Sequence, residues 1–162
     1  ISMHTNLDAA EGGVNDTLAH TLGLEDIGAF ENPLSMGRIG FIRPACSLAD
    51  FLPKVYRLLG VSFLRYIDGK RPVSKVAVGS GNCSELWKFA LAAGCDTFVS
   101  GDFKYGQLQP ASEIGLNIID AGHFATENVI CKPLAKLISN AFPSLDVSVS
   151  ERHKDCIRLY TE

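Results

Sequence analysis

The sequence predicts an α/β fold, a layered sheet, mixed or largely parallel, covered by helices, and three observations predict it. The runs Val76-Ala77-Val78, Thr97-Phe98-Val99 and Leu116 to Ile119 are short and apolar without polar alternation, as strands buried on both faces read. Between them lie segments of helical length, Ser84 to Ala93 closed by Gly94, and about Tyr105 to Glu113. Strand and helix in regular alternation describe the crossover units of a parallel sheet. Hydrophobic residues make up 46% of the 162 residues and charged residues 20%. That is an ordinary globular balance at single-domain length, so residues 1–162 are read as one domain region.

Taken in order, Ile1-Ser2-Met3 reads as the end of a strand and His4-Thr5-Asn6-Leu7-Asp8 as the polar elbow after it. A domain seldom starts in mid-strand with chemistry at its fourth residue, so either the native chain starts at Met3 or an N-terminal segment is missing upstream, and the second is the expectation. From Gly13, the residues Val14, Leu18 and Leu22 recur at helical spacing and Gly23 is a stop. Residues 25–46 hold Gly28, Pro33, Gly37, Gly40 and Pro44, which predict loops around a short strand, Arg38 to Ile42. Ser47 is the N-cap of a second helix with Leu48, Phe51, Leu52, Val55, Leu58 and Leu59 on its apolar face, ending at Gly60. Val61 to Ile67 reads as a strand before the Asp68-Gly69 turn. After Leu116 to Ile119, Asp120-Ala121-Gly122-His123 leads into one helix reaching about Ala141. Val147 to Val149 and Ile157 to Tyr160 are then expected to close the sheet.

Lys plus Arg number 15 and Asp plus Glu 18, a net charge of −3, and no run of five like charges occurs. A surface that coats nucleic acid is therefore not expected, while a local basic pocket for one anionic small molecule stays open. No stretch approaches the roughly 18 consecutive apolar residues of a membrane span, and the first residues lack the basic and apolar regions of a secretory signal. The cysteines Cys46, Cys83, Cys95, Cys131 and Cys156 are odd in number and never spaced C-x-x-C. They read as reduced, mostly buried thiols of a cytoplasmic protein.

The strongest chemical signal is Asp120-Ala121-Gly122-His123-Phe124-Ala125-Thr126-Glu127. His123 and Glu127 are four apart at a helix start, so both side chains leave one face, at the carboxyl end of a strand where open α/β sheets place ligands. An imidazole and a carboxylate so placed suit zinc, manganese or iron. An ordinary first helical turn with Glu127 favouring the dipole is the other reading. His4 and Asp8 repeat the pairing after the first strand, with an Asx-type turn as the alternative. Gly79-Ser80-Gly81, between strand and helix, is either a phosphate cradle on backbone N–H groups or a tight structural turn. It lacks the Lys-Ser/Thr of a Walker loop and the third glycine of a dinucleotide fingerprint. Ser100-Gly101-Asp102 with Phe103-Lys104-Tyr105 lines a pocket or forms a solvated turn. Cys83 reads as a buried thiol, and His20 and His153 as surface residues.

These blocks together resemble the Nif-three-like family, also called the GTP cyclohydrolase I type 2 family. The resemblance is carried by His4-Thr5-Asn6-Leu7-Asp8-Ala9-Ala10, Gly12-Gly13-Val14-Asn15-Asp16, Gly37-Arg38-Ile39-Gly40, Gly79-Ser80-Gly81, Ser100-Gly101-Asp102 with Lys104-Tyr105, and Asp120-Ala121-Gly122-His123 with Thr126-Glu127. The blocks stand in the family's order along nearly the whole chain. The resemblance implies two similar intertwined halves and a centre of two divalent metal ions, Zn, Mn, Fe or Mg. Asp8, His123 and Glu127 would be ligands, Glu127 also a bridge and the catalytic residue. His4 would support a ligand or face substrate. It further implies a small-molecule substrate such as a nucleotide, and assembly into a ring-like homohexamer. The implied activity is a metal-dependent hydrolysis of GTP cyclohydrolase type, with purine ring opening and formate release. A non-catalytic metal-binding interaction or regulatory module is the alternative. Two departures stand out. No His-His pair, which the family carries upstream of the His-Thr-Asn-Leu-Asp block, occurs here, and Gly106 stands where relatives often have histidine. The large insertion of some relatives, between the region near Pro44 and the Gly79 turn, is also absent.

Overall fold

The computed structural model describes residues 4–160, so the strand end read at residues 1–3 lies outside the described residues. Among the described residues six strands form one mixed sheet in the order β1-β2-β4-β5-β6-β3. They are β1 (Glu25–Gly28), β2 (Arg38–Cys46), β3 (Arg65–Ile67), β4 (Val73–Val78), β5 (Thr97–Ser100) and β6 (Asn117–Asp120). β4, β5 and β6 run parallel, with Ala77 opposite Phe98 and Phe98 opposite Ile118. β1 on β2, β2 on β4 and β3 on β6 are antiparallel.

Both faces of the parallel block are buried, and the side chains divide by the period of two that a strand imposes. Val76, Val78, Val99 and Ile119 pack with Leu18 of α2 (Val14–Thr21), Leu22 at its C-cap, and Phe51 and Val55 of α3 (Leu48–Leu59). Ala77, Phe98 and Ile118 pack on the opposite core with Trp87 and Ala90 of α4 (Trp87–Ala92) and Ala111 of α5 (Tyr105–Ile114). The result is the helix–sheet–helix layering expected of crossover units. Ser47 caps α3, its hydroxyl accepting from the Asp50 amide at 3.1 Å, and Gly60 ends it in the left-handed region.

Several expectations are corrected. The elbow at residues 5–9 is a short helix, α1 (Thr5–Ala9), and β1 forms where loop was expected; both are too short to show a period. β2 continues past Ile42 to Cys46, which pairs with Val73 after a register shift. The strand expected over 61–67 shrinks to the three residues that find partners on β6. The helix expected from Ser84 starts as a 3₁₀ turn, Ser84–Leu86. The helix expected to run from His123 to Ala141 is two, α6 (His123–Asn128) and α7 (Cys131–Ala141). Pro133 explains the break, since it has no N–H to donate to the Val129 carbonyl and its ring collides with that group in a continuous helix. Among the described residues the terminal strands do not form. Residues 147–149 and 157–160 are irregular, with no ladder partner among the described residues, and Val149, Ile157, Leu159 and Tyr160 are exposed. Of the five free cysteines only Cys83 and Cys95 are buried; Cys156 is exposed. Among the described residues no helix is long and apolar enough to cross a membrane.

Candidate functional site

The parallel strands β4, β5 and β6 deliver three turns to one edge of the sheet, at residues 79–81, 101–102 and 121–122, the place where open α/β sheets bind ligands. The turns touch through their main chains. The Gly101 amide donates to the Gly81 carbonyl at 3.1 Å and the Ala121 amide to the Ser100 carbonyl at 2.9 Å. A Cβ at Gly101 would lie 2.7 Å from the Gly122 carbonyl carbon and 2.8 Å from the His123 nitrogen. Glycine is what lets these backbones close on one another.

α6 rises from the third turn and carries the metal-type pair. His123 Nε2 lies 3.1 Å from Glu127 Oε1, and His123 Nδ1 lies 2.7 Å from Asp102 Oδ2. The imidazole is thus held between two carboxylates, and the Asp102 hydrogen bond is the main reason its pKa is raised above the ordinary histidine value. Gly81 (φ +58) faces the pair from the first turn. A Cβ there would collide with Glu127 Oε1 and reach within 3.1 Å of His123 Nε2. Thr126 locks α6 onto the same turn, its hydroxyl accepting from the Gly81 amide at 2.9 Å.

Asp8 comes to this cluster from α1 and is buried, 7% exposed. Burial raises its carboxyl pKa, while the proximity of His4 and His123 pulls it down. Its position is set by a neighbour on α2. Buried Asn15 donates from Nδ2 to the Asp8 carbonyl at 2.9 Å and accepts at Oδ1 from the Ser80 amide at 2.8 Å. α1 is fastened further by Arg38, whose guanidinium donates to the carbonyls of Ala9 and Ala10 at 3.1 Å each and pairs with Asp16. Cys83 lies close enough to Asp8 and Glu127 to feel both charges, but burial is the chief cause that its pKa is pushed up to about 12. It is a core thiol and no nucleophile.

The structure therefore brings Asp8, His123 and Glu127 to one locality, with His123 and Glu127 converging and Asp8 on the buried flank. One imidazole and two carboxylates over a glycine that leaves them room form a donor set of the kind a divalent cation takes. Among the described residues no three His, Cys, Asp or Glu side chains gather closely enough to cage an ion outright. His4 is exposed and bonds locally, its ring Nδ1 3.0 Å from Thr5 Oγ1. The phosphate-cradle reading of Gly79-Ser80-Gly81 is overturned. The three amides donate to the Val99 carbonyl, Asn15 Oδ1 and Thr126 Oγ1, so the turn keeps its donors for the protein itself. His20 and His153 are exposed.

The sequence alone assigns no role to five contributors. In sequence, Asp102 belongs to a pocket lining or a solvated turn. Its positive φ, +59 on a non-glycine residue, shows only in the structure. Asn15, Asp16 and Arg38 stand inside the quoted blocks, and nothing local tells that they tie α1 to the sheet. Asp120 likewise organises the turns. It accepts from the Gly122 amide at 3.1 Å and from Arg65 Nε at 3.1 Å.

The family model described as Duf34/NIF3 (NGG1p interacting factor 3) matches residues 1–156. A Nostoc sp. protein named GTP cyclohydrolase 1 type 2 homolog is 33% identical over 141 residues, 83% of this chain and 54% of that protein. A Clostridium perfringens protein of the same name is 30% identical over 161 residues, covering 95% of this chain and 62% of its own length. The chain thus spans little more than half the length of these relatives. The fold matches a Staphylococcus aureus hypothetical protein with a TM-score of 0.90 at 24% identity, over 99% of this chain and 68% of that one. A Bacillus cereus protein related to NIF3 matches with a TM-score of 0.83 at 22% identity, over 97% and 72% of the two chains. With its blocks in order and its model matched almost end to end, the chain belongs to the Duf34/NIF3 family.

Proposed function

We propose that this chain carries a divalent-cation site and acts as a metal-dependent hydrolase on a small molecule, a nucleotide being the class that the relatives' cyclohydrolase name suggests. The observation that carries the reading is the convergence of His123 Nε2 and Glu127 Oε1, 3.1 Å apart, above the bare backbone of Gly81. His123, Glu127 and Asp8 would hold the cation, which supplies Lewis acidity and makes water a nucleophile near neutral pH. These three residues would be donors to one ion, and the second ion implied by the resemblance would need ligands beyond them. Glu127, 36% exposed at its side chain, is the group placed to accept a proton from an incoming water. Asp8, in its buried seat, supplies negative charge on the far side. In the cyclohydrolase form of the reading, one water adds at purine C8 and a C8–N bond breaks, opening the imidazole ring to a formamide. A second water then hydrolyses that formamide to formate and a free amine. The test is elemental analysis of protein purified without chelator, followed by nucleotide turnover with formate detection in wild type and Glu127→Gln. Bound metal and turnover lost in the variant support the reading; protein that binds no added Zn²⁺ or Mn²⁺ overturns it.

A second reading, an interaction or regulatory module, draws on α7. None of its residues is buried, and Leu137 and the following Phe142 and Leu145 are exposed. Such an apolar face suits contact with protein, copies of this chain included. The two readings separate in Glu127→Gln, which loses turnover under the first and keeps partner binding under the second.

A further inference from the structure

We propose that Asp102 is the positioning residue of this site, fixing His123 in the Nδ1–H tautomer so that Nε2 is the open acceptor on the Glu127 side. The inference deepens the cation-site reading and rests on it for its affinity measurement alone. A carboxylate can only accept, so the 2.7 Å contact requires the proton of a neutral imidazole to sit on Nδ1. Glu127 competes for that proton at Nε2, but from 3.1 Å. The shorter, better-made hydrogen bond decides the tautomer.

Nothing about an exposed ion pair alone would demand this role, since pairs at roughly two-fifths exposure form and break freely. The backbone around Asp102 makes the difference. Asp102 holds a left-handed conformation, φ +59, and such outliers persist only where the surroundings impose them. Gly101 on one side is wedged against Gly122 and His123 and donates to the Gly81 carbonyl. On the other side, Phe103 is 3% exposed, stacks edge-on against Phe98 at 5.8 Å and donates its amide to Asp120 Oδ2 at 3.4 Å. Asp120 in turn accepts from the Gly122 amide, one residue before His123. The carboxylate and the imidazole it holds are therefore mounted on one rigid frame, so the aim of Nε2 follows from the fold. Carboxylate partners of this kind orient ligating histidines and raise their basicity.

The test is two-part. Long-range ¹H–¹⁵N NMR of metal-free protein, at a pH where the imidazole is neutral, reads the His123 tautomer directly. Wild type should show Nδ1–H. Asp102→Asn, whose amide donates to Nδ1, should show Nε2–H, and Asp102→Glu should restore Nδ1–H at least in part. Calorimetric titration with Zn²⁺ should then show affinity falling roughly 10–100-fold in Asp102→Asn with the thermal melt retained. A wild type with Nε2–H, a tautomer unmoved by Asp102→Asn, or Zn²⁺ affinity unchanged in that variant overturns the proposal. Should wild type bind no Zn²⁺ while the tautomer still switches, the positioning role stands and the cation-site reading falls.

Discussion

Asn15 holds Asp8 by its main chain, Nδ2 donating to the Asp8 carbonyl at 2.9 Å from a side chain with no exposure at all. The same amide group accepts from Ser80 at the head of the first turn, so one side chain joins α1 to the parallel block. Asn15→Leu keeps the volume and removes both partners. The Asp8 carbonyl and the Ser80 amide are then buried without hydrogen bonds, at about 1–3 kcal/mol each. Urea denaturation should show that loss, and a variant as stable as wild type would mean that water replaces Asn15.

Asp8→Asn should stabilise the metal-free protein. Burial raises the Asp8 carboxyl pKa, so the folded chain keeps this proton to higher pH than the unfolded chain does. Stability is lost as pH climbs through that window, and above it the buried charge is a standing cost. Removing the charge should lift the melting temperature at neutral pH, by about 2–4 °C if near 1 kcal/mol is recovered. Added Zn²⁺ should raise the melting temperature of wild type and leave the variant unmoved. A lower melting temperature in metal-free Asp8→Asn would show that the carboxylate is already compensated.

His123 works in the opposite sense. Its pKa is raised, first by the Asp102 hydrogen bond, so its contribution is fully present below the ordinary histidine pKa and disappears as pH rises through the folded value. Asp102→Asn should therefore destabilise the metal-free protein more in acid buffer, near pH 6, than near pH 9. Melts across that range decide it, and parallel curves for the two proteins would remove the coupling.

Arg38→Ala should be strongly destabilising. Arg38 and Asp16 have side chains only 9% and 14% exposed, and the guanidinium also serves three carbonyls. Removing one partner of a buried pair costs about 3–5 kcal/mol. Arg38→Lys should recover little, because a single ammonium cannot reproduce the planar fork. Chemical denaturation of the pair of variants checks both statements.

The parallel block was legible because Val76 to Val78, Thr97 to Val99 and Leu116 to Ile119 are buried on both faces, and burial writes apolar runs into sequence. β1 left no such trace. Its pattern is mostly exposed, and its ladder pairing among the described residues is with β2. Residues 147–149 and 157–160 gave the reverse error, since alternating apolar residues look like strand whether or not a neighbour is there to receive them. At the site, the helical spacing of His123 and Glu127 was enough to put them on one face. Asp8 and Gly81 joined them only through tertiary contacts, and Asp102 needed a backbone conformation that no composition announces.

Asp8 and His123 lie far apart along the chain and meet only across the finished sheet. Loops of that span close late, after local helices and hairpins have formed. A half-folded chain can present His123 beside Glu127, which share one short helix, but never both with Asp8. Any ligand that requires all three side chains therefore recognises completion of the fold, and its hold would oppose unravelling from either end.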